Sequence, residues 1–403
     1  MEKSEFYANA RNDLNGPLHG VTVVEATTTW AGPMAGCVLA DFGARVIKVE
    51  HPDGEVIRRL PPIIPDSHLT VVNETVNRNK ENVSLNLGHS RGREIFLKLC
   101  ETADIVIENF RPGTMEGWGV GYPQVAAVNP AIVYVSISAF GQFGPLSHRV
   151  GYDPIAQAFS GWVSLNGDPT GEPVKAPTYL GDDTAGLHGA LGAMAALRHR
   201  DQTGEGQHVD VALVDGLLFQ SNGFPTAAAV GVPMERSGNE FSVAAPANNY
   251  LCRDGRVFAG VLLDPHWVLL ANEMGREDIK DLKAAERIAR RGEVDGLLAA
   301  WCAERTTAEV VEIFEELGLP AVRVNTYAEV IQEAHITARD MMQPIELIDG
   351  KTVPIVGPAA KFSRTPTTIR TRAPALGENN ADVFGAMGID PAEMERLKAD
   401  GVI

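Results

Sequence analysis

The sequence predicts an α/β fold in which a parallel sheet carries helices on both of its faces. Apolar strands and helical segments alternate along the first 140 residues, starting with a strand at 21–25 and a helix at 33–40. This spacing provides the crossover helix that joins two parallel strands. Ligands are therefore expected at the carboxyl ends of the strands.

The other elements of this block follow the same alternation. Strands are expected at 45–49, 83–87, 105–108 and 132–136, and a helix at 93–99. A glycine- and alanine-rich helix is expected at 182–200, where it ends in three cationic side chains that suit a helix C-terminus. A glycine-rich stop and an alternating strand at 208–212 come next.

A second compositional block begins near residue 225. It contains a predicted hairpin with an Asp254-Gly255 turn and a helical stretch at about 285–317, which together indicate a smaller second domain. From about 345 the chain is again rich in loops and strands, and a short helix is expected at 391–399.

Composition excludes several classes of protein. The chain has 403 residues, of which 44% are hydrophobic and 22% charged, and no window approaches the roughly 18 apolar residues of a membrane helix. A formal charge of −17 disfavours a nucleic-acid partner. The four cysteines have no metal-ligand spacing, so we expect reduced, buried thiols and no metal. The first residues show no secretory signal, and the cytoplasm is the expected compartment.

Three loops carry candidate ligand contacts. The loop at 27–33 joins the first strand to the first helix, where N–H groups favour an anion, although an ordinary βα connection has the same pattern. The segment 77–82 offers two cations and three amides that suit a phosphate, or else a solvated loop. Residues 109–113 follow a predicted strand, where Phe110 would lie against an adenine or within the core.

The most informative segment is 179–186, where Asp182 and Asp183 stand at a helix start. Paired carboxylates in this position are commonly helix caps. One carboxylate can cap while the other is held ionised by the helix dipole and serves as a nucleophile. Flanking glycines would let a bulky substrate approach closely.

Together these motifs resemble the class III CoA-transferases, which include formyl-CoA transferase and carnitine CoA-transferase. The similarity extends over nearly the whole chain. The matching residues are Ala31-Gly32-Pro33, 41–50, Asn79-Lys80, 108–113, Ala156-Gln157-Ala158, Gly181-Asp182, 203–207, Asp254-Gly255 and 373–378.

The resemblance implies a Rossmann-like large domain built from both chain ends, a small α+β middle domain and an interlocked homodimer. The implied boundaries are a large domain at 1–215 and 346–403, a small domain at 241–325, and linkers at 216–240 and 326–345. It also implies coenzyme A as the cofactor, an acyl-CoA donor and a carboxylate acceptor as substrates, and no metal.

The implied roles fall into three groups. Asp182 is the catalytic nucleophile. Tyr152, Gly181 and Asp183 would contact substrate. The implied coenzyme A contacts are Thr29, Trp30, Ala31, Arg45, Asn79, Lys80, Asn109, Arg111 and Ser138.

Within the family, the sequence is closest in pattern to the carnitine CoA-transferases, supported by residues 156–161, by 166–168 and by the fit of 300–345. Two alternatives remain open. A 2-methylacyl-CoA racemase uses a histidine in a Gly-His-Asp segment, where this chain has Gly151-Tyr152-Asp153, and tyrosine with a pKa near 10 exchanges protons poorly at neutral pH. A non-catalytic CoA-binding paralogue is disfavoured because Asp182 is intact.

Overall fold

The computed structural model describes all residues from 1 to 403. The chain forms two compact units. The larger unit consists of Met1–Trp162, Lys175–Val230 and Thr337–Ile403, so it uses both chain ends. The smaller unit consists of Val163–Val174 and Gly231–Ile336. The domain boundaries drawn from the sequence stay a prediction.

The larger unit is built on a six-stranded sheet in which every neighbouring pair is parallel. The strands are β1 Thr22–Ala26, β2 Arg45–Glu50, β3 Lys80–Ser84, β4 Ile105–Glu108, β5 Val133–Ser138 and β6 Gln207–Ala212. The strand order is β3-β2-β1-β4-β5-β6, the doubly wound order of a Rossmann-like fold. The order reverses between β1 and β4, so the loops that follow these two strands lie side by side.

The central strands β4 and β5 are buried on both faces, and most of their residues are apolar and β-branched. In β4, Ile105 and Ile107 face one hydrophobic core, which also contains Leu39. Val106 faces a second core, with Phe96. Helices cover both cores, as the sequence predicts.

The longest helix, Leu180–Thr203, packs closely against Ala31–Asp41. A Cβ atom at Gly186 would lie 2.9 Å from the carbonyl oxygen of Ala31, so only glycine permits this approach. The other helices of the larger unit are Lys3–Phe6, Val71–Val76, Ser90–Cys100, Thr114–Gly117, Tyr122–Val128, Asp153–Phe159, Leu213–Gln220, Phe224–Ala229, Asn380–Ala386 and Pro391–Ala399, with a 3₁₀ turn at Val56–Arg59. A two-stranded antiparallel sheet pairs Met342–Glu346 with Thr352–Val356.

The smaller unit has an antiparallel three-stranded sheet over a core that contains Trp267 and Phe314. Its strands are Ala247–Leu251, Arg256–Gly260 and Ala321–Arg323, and the first two form the predicted hairpin. Its helices are Asp264–Glu273, Ala284–Ala289, Arg291–Ala303, Thr307–Glu316 and Tyr327–Val330, with a 3₁₀ turn at Glu277–Ile279. Two short helices, Trp162–Leu165 and Ala334–Ala338, lie where the chain passes between units.

The third strand differs from the sequence prediction. It occupies Lys80–Ser84, whereas the apolar run placed it at 83–87. The strand begins with buried polar residues because the Lys80 ammonium finds a buried carboxylate as its partner. The four cysteines are free and buried, as predicted. None of the helices is both long and apolar enough to cross a membrane.

Candidate active site

The loop after β1 is held in an unusual conformation. Thr29 has a φ of 67°, which is rare for a β-branched residue, and its N–H donates to Glu55 Oε2 at 2.8 Å. Asn109, which follows β4, bonds the backbone of Thr28 twice. Its Oδ1 accepts from the Thr28 N–H and its Nδ2 donates to the Thr28 carbonyl, each at 2.8 Å. The two neighbouring loops are therefore fixed to each other.

Buried charged side chains contact this loop and stabilise its conformation. Lys48 Nζ lies 2.8 Å from Glu55 Oε1 and 3.2 Å from Glu25 Oε1, and it donates to the Thr27 carbonyl at 3.0 Å. Burial alone would raise the pKa of Glu25, but the ammonium groups of Lys80 and Lys48 hold it below its ordinary value. Removing one of these buried charged side chains would leave its partner buried without a counter-charge and would destabilise the fold.

Asp182 lies in the first turn of the helix Leu180–Thr203 and lines a cavity of about 230 Å³. The cavity has a polar side, which contains two carboxylates, and an apolar side. The residues that line it are Thr29, Trp30, Ile57, Leu60, Val72, Tyr152, Asp153, Pro154, Tyr179 and Asp182.

Burial raises the pKa of Asp182 to about 7, and the negative charges of Asp153 and Asp183 add to the effect. No hydrogen-bond donor offsets these causes. The expectation that the helix start would keep this carboxylate ionised is therefore not met, because desolvation and like charge outweigh the helix dipole.

Each of the two neighbouring carboxylates has a hydrogen-bond donor as a partner. Trp30 Nε1 donates to Asp183 Oδ1 at 2.6 Å. Asp153 Oδ1 accepts from the Gly181 N–H at 2.7 Å, and its Oδ2 accepts from Gln157 Nε2 at 2.8 Å. Asp153, from another helix, thus accepts the hydrogen bond of a backbone N–H in the first turn of this helix. The sequence pattern had predicted this capping role for Asp182 or Asp183.

Several predicted site residues come together in the structure. Thr29, Trp30, Tyr152 and Asp182 line the cavity, with Tyr152 largely exposed. Gly181 and Asp183 adjoin Asp182 along the helix, and Ala31 begins the helix that follows the loop.

Three further predicted residues follow neighbouring strands at the same edge of the sheet. Asn109 fixes the β1 loop, as described above. Arg111 follows β4 and its side chain is exposed. Ser138 ends β5, where its Oγ accepts from the Gly141 N–H at 3.0 Å.

Arg45, Asn79 and Lys80 lie elsewhere, at the amino ends of β2 and β3 and thus at the opposite edge of the parallel sheet. Arg45 pairs with Glu81 at 2.8 Å, and Asn79 Nδ2 donates to Asp41 Oδ1 at 2.8 Å. The Lys80 side chain is fully buried, with Nζ 2.7 Å from Glu25 Oε2. A direct phosphate contact by Lys80 is not compatible with this placement, and the segment 77–82 is not the solvated loop of the alternative interpretation.

Sequence reasoning missed the apolar wall of the cavity. Ile57, Leu60 and Val72 come from the connection between β2 and β3, which forms a 3₁₀ turn and a short helix. This connection has no helical or strand period that would single out these side chains. The sequence pattern draws attention to Asp153 only as part of the segment Gly151-Tyr152-Asp153, which corresponds to the Gly-His-Asp segment of a racemase.

The geometry combines a doubly wound sheet, a constrained loop at its topological switch point and a carboxylate with a raised pKa in a cavity. The family model described as "CoA-transferase family III" matches residues 18–380, and the chain belongs to that family. The protein is therefore an enzyme that transfers coenzyme A between substrates.

Two curated relatives and one solved structure illustrate the similarity. The succinyl-CoA–L-malate CoA-transferase beta subunit of Chloroflexus aurantiacus is 35% identical over 399 residues, covering 96% of this chain and 98% of the relative. The succinyl-CoA:mesaconate CoA-transferase of Haloarcula marismortui is 33% identical, covering 96% and 100%. A crystal structure of a CAIB/BAIF family protein from Brucella suis superposes with a TM-score of 0.83 at 31% identity, covering 93% of this chain and 100% of that one.

Proposed function

We propose that this enzyme moves coenzyme A from an acyl-CoA to a carboxylic acid through a covalent intermediate on Asp182. The observation that carries the proposal is the contrast among three carboxylates. Asp153 and Asp183 each accept hydrogen bonds from protein donors, whereas Asp182 accepts none and lines the cavity. Asp182 is thus the carboxylate left free to react.

The reaction begins when an Asp182 oxygen attacks the donor thioester carbonyl, which forms an aspartyl–acyl anhydride and expels the CoA thiolate. The thiolate attacks the aspartyl carbonyl, giving an enzyme-bound CoA thioester and the free donor acid. The acceptor carboxylate attacks this thioester, which forms a second anhydride and expels the CoA thiolate. The thiolate then attacks the acceptor's acyl carbonyl in this anhydride and displaces the Asp182 carboxylate. The new acyl-CoA leaves and Asp182 is regenerated, with no net change in protons.

Burial serves this chemistry in two ways. A carboxylate with a raised pKa is a stronger nucleophile once ionised, because less water stabilises its charge. A cavity that excludes water also protects the anhydride and the thioester from hydrolysis.

Backbone donors near Asp182 would stabilise the oxyanion that develops on the attacked carbonyl. The N–H groups of Thr28, Thr29 and Gly181 already donate to Asn109, Glu55 and Asp153. Trp30 and Ala31, at the start of the helix Ala31–Asp41, remain as the donors that we assign to this role.

We assign coenzyme A to the carboxyl edge of the sheet, along the loop at 29–31 and the residues Asn109, Arg111 and Ser138. Arg111 is the exposed cation of this set and is suited to a phosphate. We leave Arg45, Asn79 and Lys80 out of this assignment because they lie at the other edge of the sheet.

We also propose a homodimer with interlocked subunits, on the basis of the resemblance described above. The side chains of Leu187, Leu191 and Phe219 are 51%, 59% and 75% exposed. Exposed apolar side chains of this kind are typical of a surface that a second subunit covers, which supports the dimer. The four free, buried thiols agree with a reducing compartment such as the cytoplasm. Light scattering would test the dimer, and a mass near that of one 43.3 kDa chain would contradict it.

The racemase alternative needs a second proton-transfer group beside Asp182. Tyr152 is 64% exposed, and both oxygens of Asp153 accept hydrogen bonds. The function is tested by measuring transfer in Asp182→Asn, which preserves shape and removes the nucleophile. We expect transfer to be abolished while CoA affinity stays within a few-fold, and more than about a tenth of wild-type turnover would contradict the assignment.

A further inference from the structure

Thr29 needs support to keep its backbone conformation. A φ of 67° is sparsely populated by β-branched residues, and such conformations persist only where surrounding groups hold them. Thr29 also lines the cavity, and it directly precedes Trp30 and Ala31, the backbone donors assigned above to the oxyanion. The group that fixes the Thr29 backbone therefore also fixes the position of these two donors.

The Glu55 carboxylate binds the Thr29 backbone directly. Its Oε2 accepts from the Thr29 N–H at 2.8 Å, and its Oε1 lies 2.8 Å from Lys48 Nζ. Lys48 also donates to the Thr27 carbonyl at 3.0 Å, so the two side chains hold the loop on both sides of Thr28. A carboxylate acceptor makes a stronger hydrogen bond to a backbone N–H than a neutral acceptor does.

Glu55 is itself held from the carboxyl end of β2. Its N–H donates to Glu50 Oε1 at 2.8 Å. Arg58 donates to both Glu50 oxygens, at 2.7 Å and 2.9 Å, and Asn82 Nδ2 donates to Glu50 Oε2 at 2.8 Å. The carboxylate that meets Thr29 therefore has a fixed position relative to the sheet.

All of these contacts lie within one chain and beneath its surface. Glu55 and Glu50 are 9% and 3% exposed, and the Lys48 side chain is fully buried. A second subunit that covered the cavity would neither supply these contacts nor displace them, so they also hold in the proposed dimer.

We infer that Glu55 is a positioning residue for the transfer reaction, because its hydrogen bond to the Thr29 N–H holds the loop where Trp30 and Ala31 stabilise the oxyanion. The inference rests on the proposed function of Asp182 and adds a residue that does not itself line the cavity. Losing this hydrogen bond should slow the chemical step far more than it weakens CoA binding, since displaced donors stabilise the transition state less.

Two substitutions of Glu55 test the inference. Glu55→Gln keeps the size of the side chain, but its single amide oxygen can accept from only one of two donors, the Thr29 N–H or the Lys48 ammonium. Glu55→Asp keeps the charge beside Lys48 and withdraws the carboxylate from Thr29 by one methylene. Glu74→Gln is the matched control, because Glu74 is a carboxylate of the same connection, 3% exposed, that accepts from Asn73 Nδ2 at 2.9 Å.

The rate constant and the amplitude of CoA-adduct formation are measured separately by quenched flow and intact mass. Acetyl-CoA, butyryl-CoA and succinyl-CoA are each tried with the wild type, and the fastest donor is used for every variant. We expect both Glu55 variants to form the adduct at least about tenfold more slowly, with the amplitude preserved. CoA affinity, measured by calorimetry, should stay within about fivefold, because Asn109, Arg111 and Ser138 are unchanged. Glu74→Gln should keep the wild-type rate constant.

The split between rate and amplitude separates positioning from stability. If the Glu55 variants lose amplitude or melting temperature and keep the wild-type rate constant, Glu55 only stabilises the fold and the inference is wrong. An equal fall of the rate constant in Glu74→Gln would also contradict it. Glu55→Asp decides the question if Glu55→Gln does not fold.

The wild-type protein distinguishes a failure of the inference from a failure of the proposed function. If the wild type forms the adduct and the Glu55 variants form it equally fast, only the inference is wrong and the covalent function stands. If none of the three donors leaves an adduct on the wild type, the proposed function of Asp182 fails and the inference fails with it.

Discussion

Trp30 Nε1 donates a 2.6 Å hydrogen bond to Asp183 Oδ1, which ties the loop after β1 to the helix that carries Asp182. The indole ring also contacts Tyr179 edge-on, with ring centroids 5.4 Å apart. The loop donors and the nucleophile are therefore fixed relative to each other by one side chain.

Trp30→Phe keeps an aromatic ring and removes the donor. We expect kcat to fall about tenfold or more, since misplacing oxyanion donors weakens transition-state stabilisation. The variant also removes the bond that lowers the pKa of Asp183, so this pKa should rise further. Steady-state kinetics are the measurement. Trp301→Phe, in the smaller unit, is the matched control and should keep wild-type kcat; equal losses in both variants would contradict the assignment.

Transfer should depend on pH because the pKa of Asp182 is about 7. Only the ionised form attacks, so kcat/KM should rise from pH 6 to pH 8 and level off above. Asp153→Asn should move the midpoint down, since the Asp153 charge is one cause of the raised pKa. A profile that is flat from pH 5 to pH 8 would be incompatible with a raised pKa at the nucleophile.

The same raised pKa predicts that Asp182 destabilises the folded protein at alkaline pH. Between the ordinary aspartate pKa of 3.8 and the raised pKa of about 7, the folded state binds more protons than the unfolded state, so the contribution of Asp182 to stability falls as pH rises through this window. At about 1.4 kcal/mol per pKa unit, the ionised group costs up to about 4 kcal/mol at pH 8.

Asp182→Asn should therefore melt at a higher temperature than wild type at pH 8, and the difference should shrink below pH 4. Asp201→Asn, a change at an exposed position of the same helix, should have little effect at either pH. Equal melting temperatures of wild type and Asp182→Asn at pH 8 would show that the ionised Asp182 carboxylate does not destabilise the folded protein.

Lys80 and Arg111 provide a matched pair of cations with different roles. Lys80→Met should destabilise the protein by about 3–5 kcal/mol, because it leaves the Glu25 carboxylate buried without its 2.7 Å partner. Arg111→Ala should leave the melting temperature unchanged and weaken CoA binding by about 1.5–3 kcal/mol. Chemical denaturation and calorimetric titration with CoA measure the two effects. If Lys80→Met kept its stability and lost CoA affinity, while Arg111→Ala kept its CoA affinity, Lys80 would instead be the residue that contacts a phosphate.

The sequence predicts most of the sheet because its central strands are apolar runs with clear boundaries. β4 lies at Ile105–Glu108, as predicted, and the C-terminal helix Pro391–Ala399 also matches. The third strand is misplaced by three residues because Lys80 and Asn82 are buried polar residues, which a hydrophobic pattern does not detect. That error also placed Lys80 in a loop before the strand, where it would bind a phosphate or be solvated.

The candidate site is predicted in part for a similar reason. Thr29, Trp30 and Asp182 belong to recognisable loop and helix-start motifs, and the structure brings them to one cavity. Leu60 and Val72 reach the same cavity from an irregular connection, and Asp153 comes from a separate helix. Their proximity depends on tertiary packing, which no local pattern encodes.

The covalent intermediate on Asp182 is the central claim, and trapping it is the most direct test. The protein is incubated with butyryl-CoA, treated with borohydride or hydroxylamine, digested and mapped by mass spectrometry, beside Asp182→Asn and a sample without acyl-CoA. We expect a CoA adduct on the intact wild-type protein and a trapped modification on the peptide that contains Asp182, both absent from the variant. Solvent deuterium incorporated at the α-carbon of a 2-methylacyl-CoA, with no adduct on any peptide, would contradict the account.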